Sequence, residues 1–422
     1  MGMTYAEKVL AQKADLKKTV PGQIVFISPD HLLTHDNTSA IIGKIGSELE
    51  QYGVADPNLP VIVLDHVVPA AAEKHATGHK KIREFARKFN LKNFYDVGRG
   101  ICHQVVLEEG LALPGQVVVG SDSHTCSYGA VNCFSTGIDR TEAAALMLTG
   151  RTWFKVPTTI KIELSGRFRK NIGAKDLILQ IISDIGADGA GYKAVEFHGD
   201  LVGLTLSDRI TISNMGIEMG AKIAVFPVDD AVTMFFRDMD IDDSQYTPIW
   251  ADSDAEYERV LTYDLSKIPA RIAKPHAVDN GARARELSDI TIQQAFIGTC
   301  TNGRTSDFRA AAAILNGKKV HPDVRLLILP ASRQILQEII RDGTLNTLVE
   351  AGGMVLPTGC GPCLGAHQGV LAPGERCIST ANRNFKGRMG CRDAEIYLAS
   401  PETVATSAIT GKITDPEEGD QR

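Results

Sequence analysis

Short, unbroken apolar runs recur along this chain between stretches whose apolar positions follow a helical period, and each run opens at once into a polar loop. Ile24-Val25-Phe26-Ile27 leads into SPDHLLTHDNTS, Val61-Ile62-Val63-Leu64 into Asp65-His66, and Val117-Val118-Val119 into GSDSHTCS. Further on, Ala295-Phe296-Ile297 leads into GTCTNGR, Met354-Val355-Leu356 into PTGCGPC, and Cys377-Ile378 into STANRNFKGR. Runs of this kind predict parallel strands buried on both faces rather than half-exposed antiparallel ones. The fold class is α/β. In open α/β sheets ligands bind beyond the carboxyl ends of the strands, and these six ends carry nearly all the unusual polar residues, which predicts one composite site.

Between the two sets of runs the texture changes. TTIKIELSG and LVGLTLSDRITISN read as strands, residues 186–191 (GADGAG) as a flexible connection, and ARIAKPHAVDNGARARELSDI as a linker mixing Pro, Gly and charge. A chain of 422 residues exceeds the roughly 250–300 at which single cores stop growing. Three α/β domains are therefore expected, at 1–155, 156–274 and 275–422. The N-terminal MGMTYAEKVLAQKADLKK reads as an amphipathic helix without the apolar centre of a signal peptide, and no run approaches a membrane span. The expected location is the cytoplasm.

Composition narrows the function classes. With 43% hydrophobic and 23% charged residues the chain is an ordinary globular one. A net charge of −6 without a basic stripe argues against nucleic acid as a partner, and Lys80-Lys81 reads as a solvated helix face. Eight cysteines are too scattered for a disulfide framework and too many to be incidental in a reducing compartment, so some are expected to bind metal. Isolated ones such as Cys133 and Cys377 read as small buried hydrophobes.

Cys360-x-x-Cys363 suits a redox pair, half of a zinc site or part of a cluster. Cys300 occupies a similar strand-to-loop position, which makes a three-thiolate site plausible. Such a set binds zinc with His367 as a fourth ligand, or holds three irons of a [4Fe–4S] cluster with the fourth iron open. Unrelated structural cysteines are the remaining reading. Asp65-His66, His103, Asp122-Ser123-His124, Asn214 with Glu218, and Asn382-Arg383 with Arg388 complete the constellation. Histidine beside carboxylate fixes a tautomer and raises basicity, as acid–base chemistry requires. Arginines in a glycine-containing loop suit bidentate carboxylate binding. Asn214 and Glu218, four apart, would share a helix face.

Taken in order, DH (65–66), SDSHT (121–125), NMGIEMGA (214–221), CTNGR (300–304), GCGPC (359–363) and NRNFKGR (382–388) resemble the aconitase superfamily over almost the whole chain. The resemblance implies three α/β domains around a central [4Fe–4S] cluster, one per chain, held by Cys300, Cys360 and Cys363 with one iron open to substrate. It implies a hydro-lyase that isomerises a hydroxy acid by dehydration and rehydration. His66, paired with Asp65, would protonate the departing hydroxyl; His103 with Asp122 and His124 with Glu218 would be supporting pairs. His35, Ser123 and Asn382 would bind substrate, and Asn214, Arg383 and Arg388 would hold substrate or order the cluster surroundings.

Two departures from single-chain aconitases refine this. His35 stands before Asp36-Asn37-Thr38 where those enzymes carry glutamine, as in the isopropylmalate and homoaconitate branches. The chain also ends about thirty residues after NRNFKGR, so the family's swivelling fourth domain, with its serine base, is expected on a separate small subunit. The expected substrate is a small branched dicarboxylic hydroxy acid, an isopropylmalate of leucine biosynthesis, with homoaconitate and 2,3-dimethylmalate as alternatives. A cluster-free RNA-binding relative is the competing class; the acidic balance argues against it.

Overall fold

The computed structural model describes residues 2–366 and 368–418. Its first sheet has five parallel strands in the order Asn93–Tyr95, Pro60–Val63, His31–Thr34, Val117–Gly120, Phe134–Gly137. Alternate residues of these strands enter two different cores. Leu32, Ile62, Val117 and Val119 pack with Ile41, Ile82, Phe85 and Leu146 from helices on one face. Leu33, Val61, Val63 and Val118 pack with Val105, Val106, Tyr128 and Phe236 on the other. Both faces are covered, which is why the strands read as unbroken apolar runs. Each such buried Val, Leu or Ile contributes roughly 1.5–3 kcal/mol relative to exposure.

A second sheet has four parallel strands, Ile223–Val225, Ala194–Gly199, Thr159–Ser165 and Arg259–Asp264. The third has seven, in the order Gly281–Arg283, Arg271–Ala273, Glu395–Leu398, Arg376–Ser379, Gln294–Gly298, Arg325–Leu329, Gly353–Val355. The last five are parallel and the first two join antiparallel at one edge. A continuous core links the second and third sheets, with Ile160, Ile178 and Phe197 in one cluster with Phe296, Leu326 and Ile378. Among the described residues no helix is long and apolar enough to cross a membrane.

Three readings of the sequence are corrected. Ile24–Ile27 lies outside the parallel sheet and pairs antiparallel with Thr152–Lys155, leaving Phe26 62% exposed; the parallel strand is His31–Thr34, inside the segment read as a loop. LVGLTLSDRITISN is mostly helix, Leu206–Met215. Its period-2 alternation imitates a strand, but Thr205 accepts from the Asp208 amide and the Asp208 carboxylate accepts from Thr205 N, a capping box that starts a helix. Finally, the segment read as a linker supplies the two antiparallel edge strands of the third sheet. The N-terminal helix, Tyr5–Lys13, forms as expected and buries Tyr5, Ala6, Val9 and Leu10. Cys133 and Cys377 are fully buried, and Lys80 and Lys81 lie exposed on the helix Glu73–Lys88.

Candidate active site

The loops that follow the strands of the first and third sheets meet across a cleft of about 490 Å³ including its open mouth. His66, His103, Asp122, Ser123 and His124 line it from the first sheet; Cys300, Cys360, Cys363, Asn382, Arg383 and Arg388 line it from the third. Ile101, Cys102, Thr299 and Leu364 complete the wall.

Local backbone chemistry sets the cysteines in place. At the end of Gln294–Gly298 the chain bends through Gly298 (φ 152°) and Thr299 (φ 79°) before Cys300. A β-branched residue at positive φ costs of order 1–3 kcal/mol and persists where the surroundings hold it. A side chain at Gly298 would strike the carbonyl of Leu329. Gly359 permits a second close approach: a Cβ there would lie 2.7 Å from the Asp65 carbonyl. The bare backbone instead lets Cys360 N donate to that carbonyl at 2.7 Å, joining the cysteine loop to the Asp65-His66 turn.

The thiols sit among N–H donors. The Asn214 and Asn382 amides donate to Cys300 Sγ at 3.3 and 3.4 Å, and Arg388 Nη2 donates to Cys363 Sγ at 3.4 Å. Burial, reinforced by nearby Cys363, pushes the Cys300 thiol up to about 12, while the Asn214 hydrogen bond opposes that. Cys363 is held well below the ordinary thiol range by its hydrogen bond with Cys360 and by the Arg388 guanidinium, against burial. Three thiols on one wall, with N–H donors aimed at the sulfurs of Cys300 and Cys363, form a ligand set that fits an iron–sulfur cluster.

Opposite lies the histidine–carboxylate network. His66 Nδ1 is 2.6 Å from Asp65 Oδ1, and its Nε2 is 3.5 Å from Asp122 Oδ2. Burial alone would lower the His66 pKa, but Asp65 and Asp122 outweigh it and raise it well above the ordinary value, which favours the imidazolium form. Asp122 caps the turn Ser123–Val131 by accepting from His124 N at 2.8 Å. It also accepts from His103 Nε2 at 2.8 Å. Burial works to raise its pKa, yet hydrogen bonds from three histidines hold it well below the usual carboxylate range. His124 Nε2 bonds Glu218 at 3.0 Å, and Arg383 Nε donates to the same Glu218 oxygen at 2.7 Å. Burial opposes a charged His124, but Asp122 and Glu218 raise its pKa.

The expected residues thus converge, with three changes of position. Asn214 does not line the cleft: it is fully buried, donates to Ser127 Oγ and Cys300 Sγ, and accepts from Thr301 and Asn382. Its side chain packs into the cysteine wall rather than lining the cleft. Glu218 is not on the same helix face, because the helix ends at Met215 and Glu218 rides on the turn Gly216–Met219. His35 lies behind His66, its ring stacked on the His66 ring at 3.7 Å and 15°. Burial and the His66 charge push the His35 pKa down to about 4, so it is neutral. His367, the fourth zinc ligand of one reading, lies outside the described residues.

Sequence reasoning assigned no role to Asp36, His79, Thr299 or Lys175. Lys175 is a buried lysine in the apolar run AKDLILQII; its Nζ donates to the Thr380 and Ala381 carbonyls at 2.8 and 2.7 Å, just before Asn382-Arg383. Two adjacent charged residues, Lys175-Asp176, opening an apolar run were the available signal.

The model of the Aconitase family (aconitate hydratase) matches residues 7–287 and 279–411. The chain is 46% identical over 417 residues to "3-isopropylmalate dehydratase large subunit 1" of Methanopyrus kandleri, covering 99% of each chain. It is 48% identical over 388 residues to "Probable methanogen homoaconitase large subunit" of Methanosarcina mazei, covering 92% of this chain and 98% of that one. It is 46% identical to "Homoaconitase large subunit" of Thermus thermophilus, covering 99% and 98%. A family match across nearly the whole chain, with its motif residues gathered on one cleft, shows that the chain belongs to the aconitase family.

Proposed function

We propose that this chain is the cluster-bearing large subunit of a 3-isopropylmalate dehydratase, a hydro-lyase that interconverts 2- and 3-isopropylmalate by removing and re-adding water. The observation that carries the reading is the convergence of Cys300, Cys360 and Cys363 with the His66–Asp65 pair across one cleft. The three cysteines would hold one [4Fe–4S] cluster. When bound, its open iron supplies a Lewis acid for the substrate hydroxyl and carboxylate.

Hydroxide leaves poorly, and His66, kept protonated by Asp65 and Asp122, delivers a proton to the departing oxygen. Asp122, 3.5 Å from His66 Nε2 and hydrogen-bonded to His103, joins His103 to the same network. Arg388 and Arg383 carry guanidinium groups at the cleft for the substrate carboxylates, and Glu218 holds Arg383 in orientation. Ser123 presents its hydroxyl on the same wall. Asn382 lines the cleft too, but its amide serves Cys300 Sγ and Asn214, so its first task is ordering the thiols.

Isopropylmalate is favoured because Ile101, Cys102 and Leu364 give the otherwise polar cleft an apolar wall suited to a branched alkyl group. The homoaconitase-named relatives support a substrate with a longer, carboxylate-tipped arm as the second reading. The relatives' designation as large subunits supports a small-subunit partner that contributes the base for the carbon-bound proton. Free thiols throughout suit a reducing compartment, the cytoplasm. The test is turnover of 3-isopropylmalate against homoaconitate by the anaerobically reconstituted chain, with and without the small subunit. Turnover of homoaconitate alone would overturn the substrate assignment.

A further inference from the structure

We propose that His35, Asp36 and His79 form a positioning assembly for His66, fixing the backbone and ring plane of the proton donor without touching the substrate. The proposal rests on the reading of His66 as that donor.

Asp36 lies under the turn that carries His66. Its Oδ2 accepts from the amides of Asp65 at 2.9 Å and His66 at 2.8 Å, and its Oδ1 accepts from the amide of Val67 at 3.1 Å. Three consecutive backbone N–H groups therefore converge on one carboxylate. The same Oδ1 is 2.7 Å from Nε2 of His79, a buried side chain on the helix Glu73–Lys88, which anchors the carboxylate from behind. Charge-assisted hydrogen bonds of this kind are shorter and about twice as strong as neutral ones.

The ring is fixed separately. His35, 8% exposed, stacks on the His66 ring at 3.7 Å between centroids and 15° between planes, closing the face away from the cleft. Asp65 holds Nδ1, which sets the rotation of the ring, while Nε2 faces Asp122 Oδ2 at 3.5 Å. The cleft lining includes His66 but neither His35 nor Asp36. The residue pair at 35–36 thus reaches the chemistry only through His66.

These residues also look like a metal site. Ligand atoms of His35, Asp36, Asp65 and His66 all lie within 4.8 Å of one another. The hydrogen bonds argue against that use, because both oxygens of Asp36 and both of Asp65 already accept from N–H groups. A cation would have to displace the donors that hold the turn. The cluster of side chains is explained as a clamp.

A displacement of about 1 Å in a reacting group costs on the order of 100-fold in rate. Asp36→Asn keeps the shape but turns an N–H toward amides that need an acceptor. In the reconstituted complex acting on 3-isopropylmalate, it should lower kcat on the order of 100-fold and leave KM within about threefold, with iron content and visible absorbance unchanged. His35→Ala should lower kcat roughly tenfold, and His35→Phe, which restores a ring face, should recover most of it. Equal kcat for His35→Ala and His35→Phe, or a change confined to KM in Asp36→Asn, overturns the proposal. Should Asp36→Asn fail to fold, His79→Leu carries the same expectation in milder form, and wild-type kcat there overturns it. His66→Asn is the reference: wild-type turnover in that variant removes the donor role itself, whereas an inactive His66→Asn beside an unaffected Asp36→Asn removes only the clamp.

Discussion

Replacing Asp65 with asparagine tests the electrostatics of the proton donor with little change of shape. Asp65 is fully buried, and its two oxygens accept from His66 Nδ1 at 2.6 Å and from Cys102 N at 2.7 Å. The asparagine carbonyl can keep one of these bonds; the negative charge is lost. A hydrogen bond to a charged group is worth about 1.5–3 kcal/mol, and one pKa unit corresponds to about 1.4 kcal/mol, so the His66 pKa should fall by roughly 1–2 units. The sign follows from the raised value. The donor form of His66 is complete below its pKa and is lost as pH rises through it, so Asp65→Asn should move the alkaline limb of the kcat/KM profile down by roughly 1–2 units. Activity on the alkaline side then falls about 10- to 100-fold, with a much smaller loss on the acid side. The assay is kcat/KM for 3-isopropylmalate across pH in the reconstituted complex, cluster content being matched by iron analysis. An alkaline limb at the wild-type pH would refute the claim that Asp65 keeps His66 charged.

Serine at Cys300, Cys360 or Cys363 should abolish the cluster's visible absorbance after anaerobic reconstitution, while Cys377→Ser, at a fully buried position away from the cleft, should retain it. Arg388→Lys keeps the charge but loses the planar fork, so kcat/KM should fall about 10- to 100-fold with the cluster in place; unchanged kinetics would remove Arg388 from substrate binding. Lys175→Met takes the partner from two backbone carbonyls, Thr380 and Ala381, and should lower thermal stability by about 2 kcal/mol, read as a lower melting midpoint.

How much of this was legible in the sequence depended on whether the information was local. Strands covered on both faces read clearly, as at Val61–Val63, Val117–Val119 and Ala295–Ile297, whereas the run Met354-Val355, read as buried, is an edge strand with Met354 46% and Val355 39% exposed. The chemistry clustered at their ends because parallel strands share a carboxyl edge. Leu206–Met215 was misread because alternation outweighed a capping box that began one residue earlier. The placement of Asn214 against Cys300, and of His35 behind His66 rather than facing the cleft, depends on how distant segments pack. Asp36, beside His35, carries no local signal of its role, because its partners are backbone amides about thirty residues away.

The central claim is that thiol-held iron and a charged His66 act together on a branched malate. Its most direct test follows the ultraviolet absorbance of the unsaturated product when 3-isopropylmalate is added anaerobically to the reconstituted chain with its small subunit, comparing wild type with His66→Asn and Cys300→Ser. The account predicts product with the wild type, loss of turnover with the cluster retained in His66→Asn, and loss of both in Cys300→Ser. Wild-type rates in either variant, or no dehydration by the intact complex, would contradict it.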